Sequence, residues 1–440
     1  MPTRPPRFPS SLCSFALPAL LLGLLLGLLL PACSSGSDSG EPLSYHQDIK
    51  PLVDRYCVGC HVQGGIGPFS LSTYDEVVRA ADSVRSAVDA GRMPPWPPSA
   101  DSRPLLGSRA LPADHKAALL RWLDGPRAEG DAGAAPRISL EPAFRPAPAR
   151  PDLVLDPGFA YAPKNSRDDD YHCFIYDPGL TADRFLLAGS VHPDNQRIVH
   201  HVIAYEIPES DAALIRGKSP DGQGYTCFGA PGTTAPPVTL VGWAPGSLGT
   251  RMPAGTALRL HKGALIVVQV HYNVLAGPGQ TDRTTMDLEL SDTPPQTELH
   301  ALPLARPKQL SIPAGAADAS QTIAVPLSVL TSFFKLPSNK LVVYAHTPHM
   351  HLLGTRITTW LNDELILDLP RWNFHWQGAY QFVTPYTASG SDLFKLECHY
   401  DNSAANQPLI DGVPAAPRNV TWGEGTRDEM CLNYLLLSAE

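Results

Sequence analysis

The chain has 440 residues, which is enough for two or three domains with complete hydrophobic cores. Charged residues make up 18% of it and proline occurs 46 times, so short strands and many turns are favoured over long helices. The formal net charge of −9 argues against a nucleic-acid partner, which would require a basic face.

The N-terminal residues are typical of an export signal. Arg4 and Arg7 precede an apolar stretch over residues 15–30, which is short for a membrane span of ~20 residues. This pattern predicts a signal peptide over residues 1–32. The mature chain is therefore expected to be exported, where disulfides are permitted.

The end of this signal resembles a bacterial lipobox. A small residue precedes Cys33, and a Ser- and Gly-rich stretch makes 33–43 a tether. The resemblance implies cleavage before Cys33, lipidation of that cysteine and anchoring in the cell envelope on the periplasmic side. Ser34 is not an acidic retention residue, which favours the outer membrane. An ordinary signal peptide with an incidental cysteine is the alternative.

Residues 44–126 are predicted to form a small helical domain. Ser44 can cap a helix that leads directly into the motif C-V-G-C-H at 57–61. Residues 113–123 have the pattern of a second amphipathic helix, and the Gly-Pro at 125–126 ends it.

The C-x-x-C-H motif provides two thiols and an imidazole on one turn, as covalent haem attachment requires. The segment resembles a class I cytochrome c domain. The resemblance implies thioether bonds from Cys57 and Cys60, His61 as proximal iron ligand and Met93 as distal ligand. The alternatives are a zinc or redox dithiol site, His46 as distal ligand, and Met93 as core filler.

The chain changes character after the helical domain. Residues 127–150 are rich in Ala, Pro, Arg and Gly and are predicted to be a flexible linker. From residue 151 the pattern is all-β, with clear strands at 264–274 and 340–353. Prolines at 294–295 interrupt the strand pattern, so we predict two β domains, over 151–295 and 296–440.

Four cysteines remain after those assigned to the signal, the lipid and the haem: Cys173, Cys227, Cys398 and Cys431. Four cysteines allow three connectivities. We favour Cys173–Cys227 and Cys398–Cys431, because each pair then closes a loop inside one predicted domain.

Two histidine pairs lie in the β region. His349 and His351 are two apart on a predicted strand, so both imidazoles face one side and can chelate one ion. His200 and His201 are adjacent and would point to opposite faces of a regular strand. Both can be ligands only if the backbone bulges or the strand ends there.

Ligand type indicates the metal. Three imidazoles, from His200, His201 and His271, suit copper or zinc. Two imidazoles with the Met430 thioether favour Cu(I), because zinc gains little from neutral sulfur.

Residues 151–440 resemble the copper type II, ascorbate-dependent monooxygenases. The resemblance rests on six motifs in the family's order: Y-H-C-F (171–174), H-H (200–201), V-H-Y-N (270–273), H-M-H-L-L-G (349–354), C-H-Y-D-N-S (398–403) and E-M-C (429–431).

The resemblance implies two antiparallel jelly-roll-like sandwiches, each with one copper, facing across a solvent cleft. The trio His200, His201 and His271 would hold an electron-storing copper. The trio His349, His351 and Met430 would hold the oxygen-binding copper, and a Cys398–Cys431 disulfide would fix the position of Met430. The expected fold is a small all-α cytochrome c domain followed by two all-β sandwich domains.

The resemblance also implies hydroxylation of a C–H bond in a small molecule by O₂. Ascorbate is the family's usual reductant, and we hypothesise that the fused haem, or a redox-chain partner acting through it, supplies electrons. A non-catalytic haem- and copper-binding electron-transfer or copper-handling lipoprotein is the alternative.

Some residues depart from the family pattern or leave the assignment open. The peptide-processing members carry an arginine where this chain has Thr347, so a peptide ending in glycine is not the expected substrate. His346 and Met350 are possible spare ligands. We expect structural or surface roles for the others: His172, His192, His261, His300, His375 and His399.

Overall fold

The computed structural model describes residues 42–440 except 64, 66, 141–149, 165–168, 235–236, 245–246, 248, 274–278, 375, 411–412 and 424. The predicted signal peptide, Cys33 and nearly all of the tether lie outside these residues. Within the described part of the chain, no helix is both long and apolar enough to span a bilayer.

Residues 43–140 share one hydrophobic cluster and are called the helical module below. Its helices are a π-helical turn at Tyr45–Ile49, then α1 Lys50–Tyr56, α2 Tyr74–Arg79, α3 Ala81–Asp89 and α4 Ala113–Asp124. The two helices predicted from the sequence are therefore present.

The predicted cap at Ser44 is wrong in its chemistry. Ser44 precedes the first helical turn, but its side chain accepts no hydrogen bond from a backbone N–H of the helix. Instead the Ser44 backbone N–H donates to Asp48 Oδ2 at 2.7 Å. Asp48 also binds the Arg137 guanidinium, so one buried carboxylate organises the start of the helix.

The first part of the predicted linker is not flexible. The Ala128 carbonyl accepts hydrogen bonds from the Tyr45 backbone N–H and from Trp122 Nε1. Ile138 and Leu140 pack against the core of the helical module. Their apolar side chains explain why a stretch with the composition of a linker folds back.

The rest of the described chain is mostly β. The strands are β1 Leu153–Leu155, β2 Asp169–Tyr176, β3 Arg184–His192, β4 Val199–Ile207, β5 Tyr225–Thr226, β6 Val238–Trp243, β7 Thr250–Arg251, β8 Thr256–Leu260, β9 Leu265–Asn273, β10 Thr285–Ser291, β11 Thr297–Ala305, β12 Ser311–Ile312, β13 Ala319–Pro326, β14 Leu341–His349, β15 Gly354–Leu361, β16 Glu364–Leu369, β17 Tyr380–Ala388, β18 Leu393–Tyr400, β19 Leu409–Ile410, β20 Val413–Pro414, β21 Val420–Thr421 and β22 Leu432–Ala439. Two helices, α5 Glu209–Gly217 and α6 Leu327–Phe333, and short 3₁₀ turns at Pro307–Gln309 and Ala404–Asn406 lie between them.

The strands form two packed layers, as β-sandwiches do. A nine-stranded sheet in the order β1-β10-β3-β8-β11-β22-β14-β17, with β7 beside β3, runs through both predicted β domains. A five-stranded sheet, β5-β2-β9-β4-β6, covers its first part over a core that includes Val202 and Val268. A four-stranded sheet, β13-β18-β15-β16, covers the rest over a core that includes Leu396 and Leu435.

Strand β11 belongs to both sandwiches. Its first residues pair with β8 in parallel, and its remaining residues pair with β22 in antiparallel register. The sequence resemblance implied purely antiparallel sheets. The parallel pairing of β11 with β8 shows that the described sheets are mixed. The predicted division at 295/296 lies just before this shared strand.

The helical module is docked on the second sandwich. The backbone N–H groups of Ser99, Arg103 and Leu106 donate to carbonyls of Asp368, Ile366 and Gln381 at 2.8, 3.0 and 2.8 Å. These hydrogen bonds extend strands β16 and β17 at their edges. The segment around residues 96–106 therefore acts as a fixed strap, in contrast to the freely tethered carrier predicted from the sequence.

Candidate metal centres

The backbone of β4 bulges at the first histidine pair. Val199 pairs with Tyr272 and His201 pairs with His271, so His200 is the extra residue in the ladder. A bulge places two adjacent side chains on the same side of a strand. The Nδ1 atoms of His200 and His201 lie 3.3 Å apart.

His271 on β9 completes the first group. Its Nδ1 lies 3.4 Å from Nδ1 of His201, and ligand atoms of all three histidines lie within 4.8 Å of one another. Two nitrogens that each lie about 2.0 Å from one ion in tetrahedral geometry are themselves about 3.3 Å apart. These three side chains could therefore hold a single metal ion.

The His271 ring is fixed by two neighbours on β2. Its Nε2 is 2.8 Å from Asp169 Oδ1, and its ring stacks on Tyr171 at a centroid distance of 4.0 Å. The carboxylate holds the proton on Nε2 and turns the Nδ1 lone pair towards the other histidines. The sequence analysis missed Asp169, because only the register of β2 against β9 brings it to His271.

Within the first group, His201 is kept in the neutral form that binds metals. Loss of solvation, reinforced by the neighbouring histidines, lowers the pKa of His201 well below its usual range. His271 is fully buried and His200 almost so. At neutral pH the His201 ring is uncharged and can donate a lone pair.

The second histidine pair lies where β14 ends. His349 is the last residue of the strand and His351 follows in the loop, so the strand predicted over 340–353 is too long. The two ring centroids are 5.0 Å apart. Nδ1 of His349 faces Gln377 Oε1 at 2.6 Å, and Nδ1 of His351 faces the Asp428 carbonyl at 3.1 Å. Each ring is thus left with Nε2 to bind a metal.

Both rings of the second pair are also neutral at pH 7. Loss of solvation lowers the pKa of His349 to about 4 and that of His351 to about 3. The hydrogen bond that His349 Nδ1 donates to Gln377 Oε1 partly opposes this lowering of the His349 pKa.

Met430 lies in a segment that is tied to the His351 loop. Glu429, one residue earlier, accepts hydrogen bonds from the backbone N–H of His351 and of Leu353 at 2.9 and 2.6 Å. Tyr400 donates to the Met430 carbonyl at 2.9 Å. Met430 is buried beside a disulfide from Cys431 to Cys398. Its role as a ligand stays a prediction.

Both favoured disulfides are present. Cys173–Cys227 lies in the first sandwich and Cys398–Cys431 in the second. Each bond therefore closes a loop within one sandwich, as expected.

The possible spare ligands have structural roles. The ring nitrogens of His346 contact Thr359 Oγ1 at 3.1 Å and Tyr386 Oη at 2.8 Å, and burial lowers its pKa to about 3. Met350 is fully buried in the core of the second sandwich. Of the other histidines, His172 and His399 have hydrogen-bond partners, and His375 lies outside the described residues.

One aromatic ring lies between the two histidine groups. Phe374 stacks on His200 at a centroid distance of 4.6 Å and meets His351 edge-on at 5.8 Å. Phe374 is itself buried. The solvent cleft implied by the resemblance is therefore closed by a side chain at this point.

A cavity of about 260 Å³ lies in the second sandwich, and the residues that line it do not include His349, His351 or Met430. Its walls include Leu352 and Leu353, which follow His351, and Thr426 and Arg427, which precede Met430. Pro408 and Val420 add apolar surface. The cavity has the mostly apolar lining of a small-molecule site.

The haem-attachment residues lie after α1. Among the residues that the structure describes, neither Cys57 nor Cys60 forms a disulfide. Nδ1 of His61 is 3.0 Å from the Phe69 carbonyl, which leaves Nε2 for iron. Met93 is 39% exposed and so is not core filler, while His46 is engaged by Glu129 at 3.5 Å. The haem and its ligand set stay predictions.

Comparison with known families identifies the C-terminal part of the chain. Residues 304–438 match the model described as the copper type II ascorbate-dependent monooxygenase, C-terminal domain. The matched segment is less than a third of the chain and contains His349, His351 and Met430. The match supports this family, and with it a copper-dependent monooxygenase activity in general.

Other comparisons add little. No curated protein matches the chain. A crystal structure of the infectious bursal disease virus VP2 subviral particle is similar over 68% of this chain and 74% of that chain, at 8% identity and a TM-score of 0.19. A similarity of this size supports no conclusion about the fold.

Proposed function

We propose that the protein is an exported copper monooxygenase that hydroxylates a C–H bond of a small molecule with O₂. His200, His201 and His271 hold the electron-storing copper. His349, His351 and Met430 hold the oxygen-binding copper. The observation that carries the proposal is the approach of both histidine groups to the single ring of Phe374, beside a segment that matches the monooxygenase model.

Copper at these positions would supply one-electron chemistry with O₂. Burial keeps the imidazoles of His201, His349 and His351 neutral, and neighbouring side chains orient the rings. Asp169 turns Nδ1 of His271 inwards, and Gln377 turns Nε2 of His349 inwards. The apolar walls of the neighbouring cavity would hold a substrate and exclude water.

A haem c in the helical module would supply the electrons, with ascorbate or a redox-chain partner as the external donor. Cys57 and Cys60 would attach the haem, and His61 and Met93 would be its axial ligands. A thioether ligand raises the haem potential and suits electron transfer rather than oxygen binding. The neighbouring placement of a C-x-x-C-H module and the β-sandwiches supports this assignment.

Metal analysis with optical spectroscopy on the intact exported protein tests the cofactor set. We expect two copper ions and one haem per chain.

The Met430→Ile variant should lose ascorbate-driven consumption of O₂ over a panel of small C–H substrates and keep the haem spectrum. Met252→Ile, an equally buried methionine in the first sandwich, is the matched control. Retained activity in Met430→Ile would refute the ligand assignment.

A non-catalytic electron-transfer or copper-handling lipoprotein is the second candidate. The burial of His271, His351 and Phe374 favours it, because an electron carrier does not need an open substrate path. The two functions differ in one measurement: a carrier binds copper and exchanges electrons without transferring isotopically labelled oxygen to any organic product.

We also propose a lipid anchor at Cys33. Cys33→Ala should move the protein from the membrane fraction to the soluble periplasmic fraction and prevent incorporation of labelled palmitate. An unchanged distribution would favour an ordinary signal peptide.

A further inference from the structure

The loop between β16 and β17 contacts both histidine groups. Phe374 stacks on His200 and meets His351, as described above. Gln377 Oε1 accepts a hydrogen bond from Nδ1 of His349, and its Nε2 donates to the Phe374 carbonyl at 2.9 Å. Trp372 Nε1 donates to the His351 carbonyl at 3.1 Å. We call residues 370–374 and 376–379 the bridging loop.

The helical module contacts the bridging loop near both of its ends. Near the first end, Arg371 donates to the Gly91 carbonyl at 3.2 Å. Beyond the second end, the Trp96 ring packs edge-on against Tyr380 at a centroid distance of 5.7 Å. Trp96 also packs against the core of the second sandwich.

Met93 lies in the short segment between these two contacts. Gly91 and Trp96 are two residues before it and three residues after it. The side of the helical module that carries the proposed distal haem ligand is therefore held next to the bridging loop.

We propose that electrons pass from the helical module to the two copper sites through the bridging loop, with Trp96 at its entrance and Phe374 between the histidine groups. This inference rests on the haem and copper assignments of the proposed function. In each transfer, Fe(II) is oxidised to Fe(III) and Cu(II) is reduced to Cu(I). No proton or leaving group moves, and an external one-electron donor of the ascorbate class then reduces the iron again.

The rate of electron transfer depends on the distance between the two metal centres. Electron tunnelling weakens steeply with separation, and packed aromatic rings provide a shorter path than solvent or saturated side chains. The strap of backbone hydrogen bonds at residues 99–106 keeps this path fixed without a diffusional encounter. A freely tethered carrier would need such an encounter for each electron.

Anaerobic rapid mixing tests the route. Full-length protein with reduced haem and Cu(II) in both sites is followed by haem absorbance and by the copper electron paramagnetic resonance signal. We expect Phe374→Leu and Trp96→Leu each to slow haem oxidation about ten-fold. Phe333→Leu, an aromatic that is 73% exposed on α6, is the matched control and should leave the rate unchanged.

The possible outcomes are distinguishable. Wild-type rates of haem oxidation in both Phe374→Leu and Trp96→Leu, with unchanged copper spectra, would overturn the route and leave the proposed function standing. A wild-type chain that carries no haem, or whose reduced haem never reduces copper, would overturn this inference together with the haem part of the proposed function. Ascorbate-driven copper reduction at the wild-type rate in Trp96→Leu, with slow haem oxidation, would support the route specifically.

Discussion

Asp169 and Gln377 illustrate how single residues prepare the two histidine groups. Each contacts the ring nitrogen of a histidine that is not needed for metal binding, at 2.8 and 2.6 Å. A partner on one nitrogen fixes the tautomer and the ring plane, so the other nitrogen presents its lone pair. The rings of His271 and His349 are therefore already oriented by folding, before any metal binds.

Replacing the carboxylate beside His271 should weaken the first site. In Asp169→Asn the negative charge that supports the ring is lost, and we expect copper affinity there to fall about 10- to 100-fold. Competitive titration with a copper chelator measures it. Asp287→Asn is the control, because Asp287 makes the same kind of contact with the exposed His192. Equal affinities in wild type and Asp169→Asn would contradict the orienting role.

Glu429 connects the segment of Met430 to the loop of His351. It accepts hydrogen bonds at both carboxylate oxygens from backbone N–H groups, while burial raises its pKa to about 8. In Glu429→Gln one acceptor oxygen becomes an NH₂ group that faces another donor. We expect the free energy of unfolding to fall by about 1–3 kcal/mol, measured by denaturant titration.

The exposed Glu129→Gln is the control for this substitution. If Glu429→Gln unfolds at the wild-type denaturant concentration, the hydrogen bonds at Glu429 do not hold the two segments together.

At the level of elements, both histidine groups lie where a strand departs from regular geometry. The bulge in β4 brings adjacent side chains to one side, and the end of β14 lets His351 leave the plane of the sheet. An uninterrupted ladder would point His200 and His201 in opposite directions. The convergence of His200, His201 and His271 therefore depends on an interruption of the sheet.

The two disulfides should have different functional effects. Removing either pair as a double Cys→Ser variant should destabilise the protein by about 2–4 kcal/mol, because each bond closes a loop in the unfolded chain. Only loss of Cys398–Cys431 should also weaken copper at the second group, since Cys431 is next to Met430. Loss of Cys173–Cys227 is the matched comparison. Equal copper affinities in the two variants would contradict a positioning role.

At the scale of the whole molecule, one sheet runs through both sandwiches, and the helical module is fastened to its second half. Strand β11 pairs with β8 on one side and β22 on the other, so the relative position of the two histidine groups is set by backbone hydrogen bonds. The same backbone pairing holds the strap at residues 99–106.

Breaking the strap should release the helical module. Leu105 forms a bridge with Phe382 and packs against the core of the second sandwich. Leu105→Asp places a charge on this apolar surface, so we expect a larger radius of gyration in solution scattering and faster proteolysis within residues 141–150. Leu214→Asp, at an exposed leucine on α5, is the control. An unchanged radius would show that the strap does not depend on Leu105.

Much of this molecule follows from local sequence. The helices beside the C-x-x-C-H motif, the mostly β character after residue 151 and the two histidine pairs are all visible in periodicity and spacing, whereas helices α5 and α6 in the β region were not predicted. Both disulfides were predicted correctly, because the prediction needed only that each pair of cysteines lie within one domain. The need for a bulge at His200 also followed from the two-residue period of a strand.

Other features depended on contacts between residues far apart in the chain. Asp169 reaches His271 through strand register, Phe374 reaches both histidine groups through a loop between two strands, and Ala128 folds back on Tyr45. No periodicity marks such residues, because each is chosen by what the tertiary structure places opposite it. The sequence alone determined which side chains can bind a metal, and the packing of distant strands decided which of them meet.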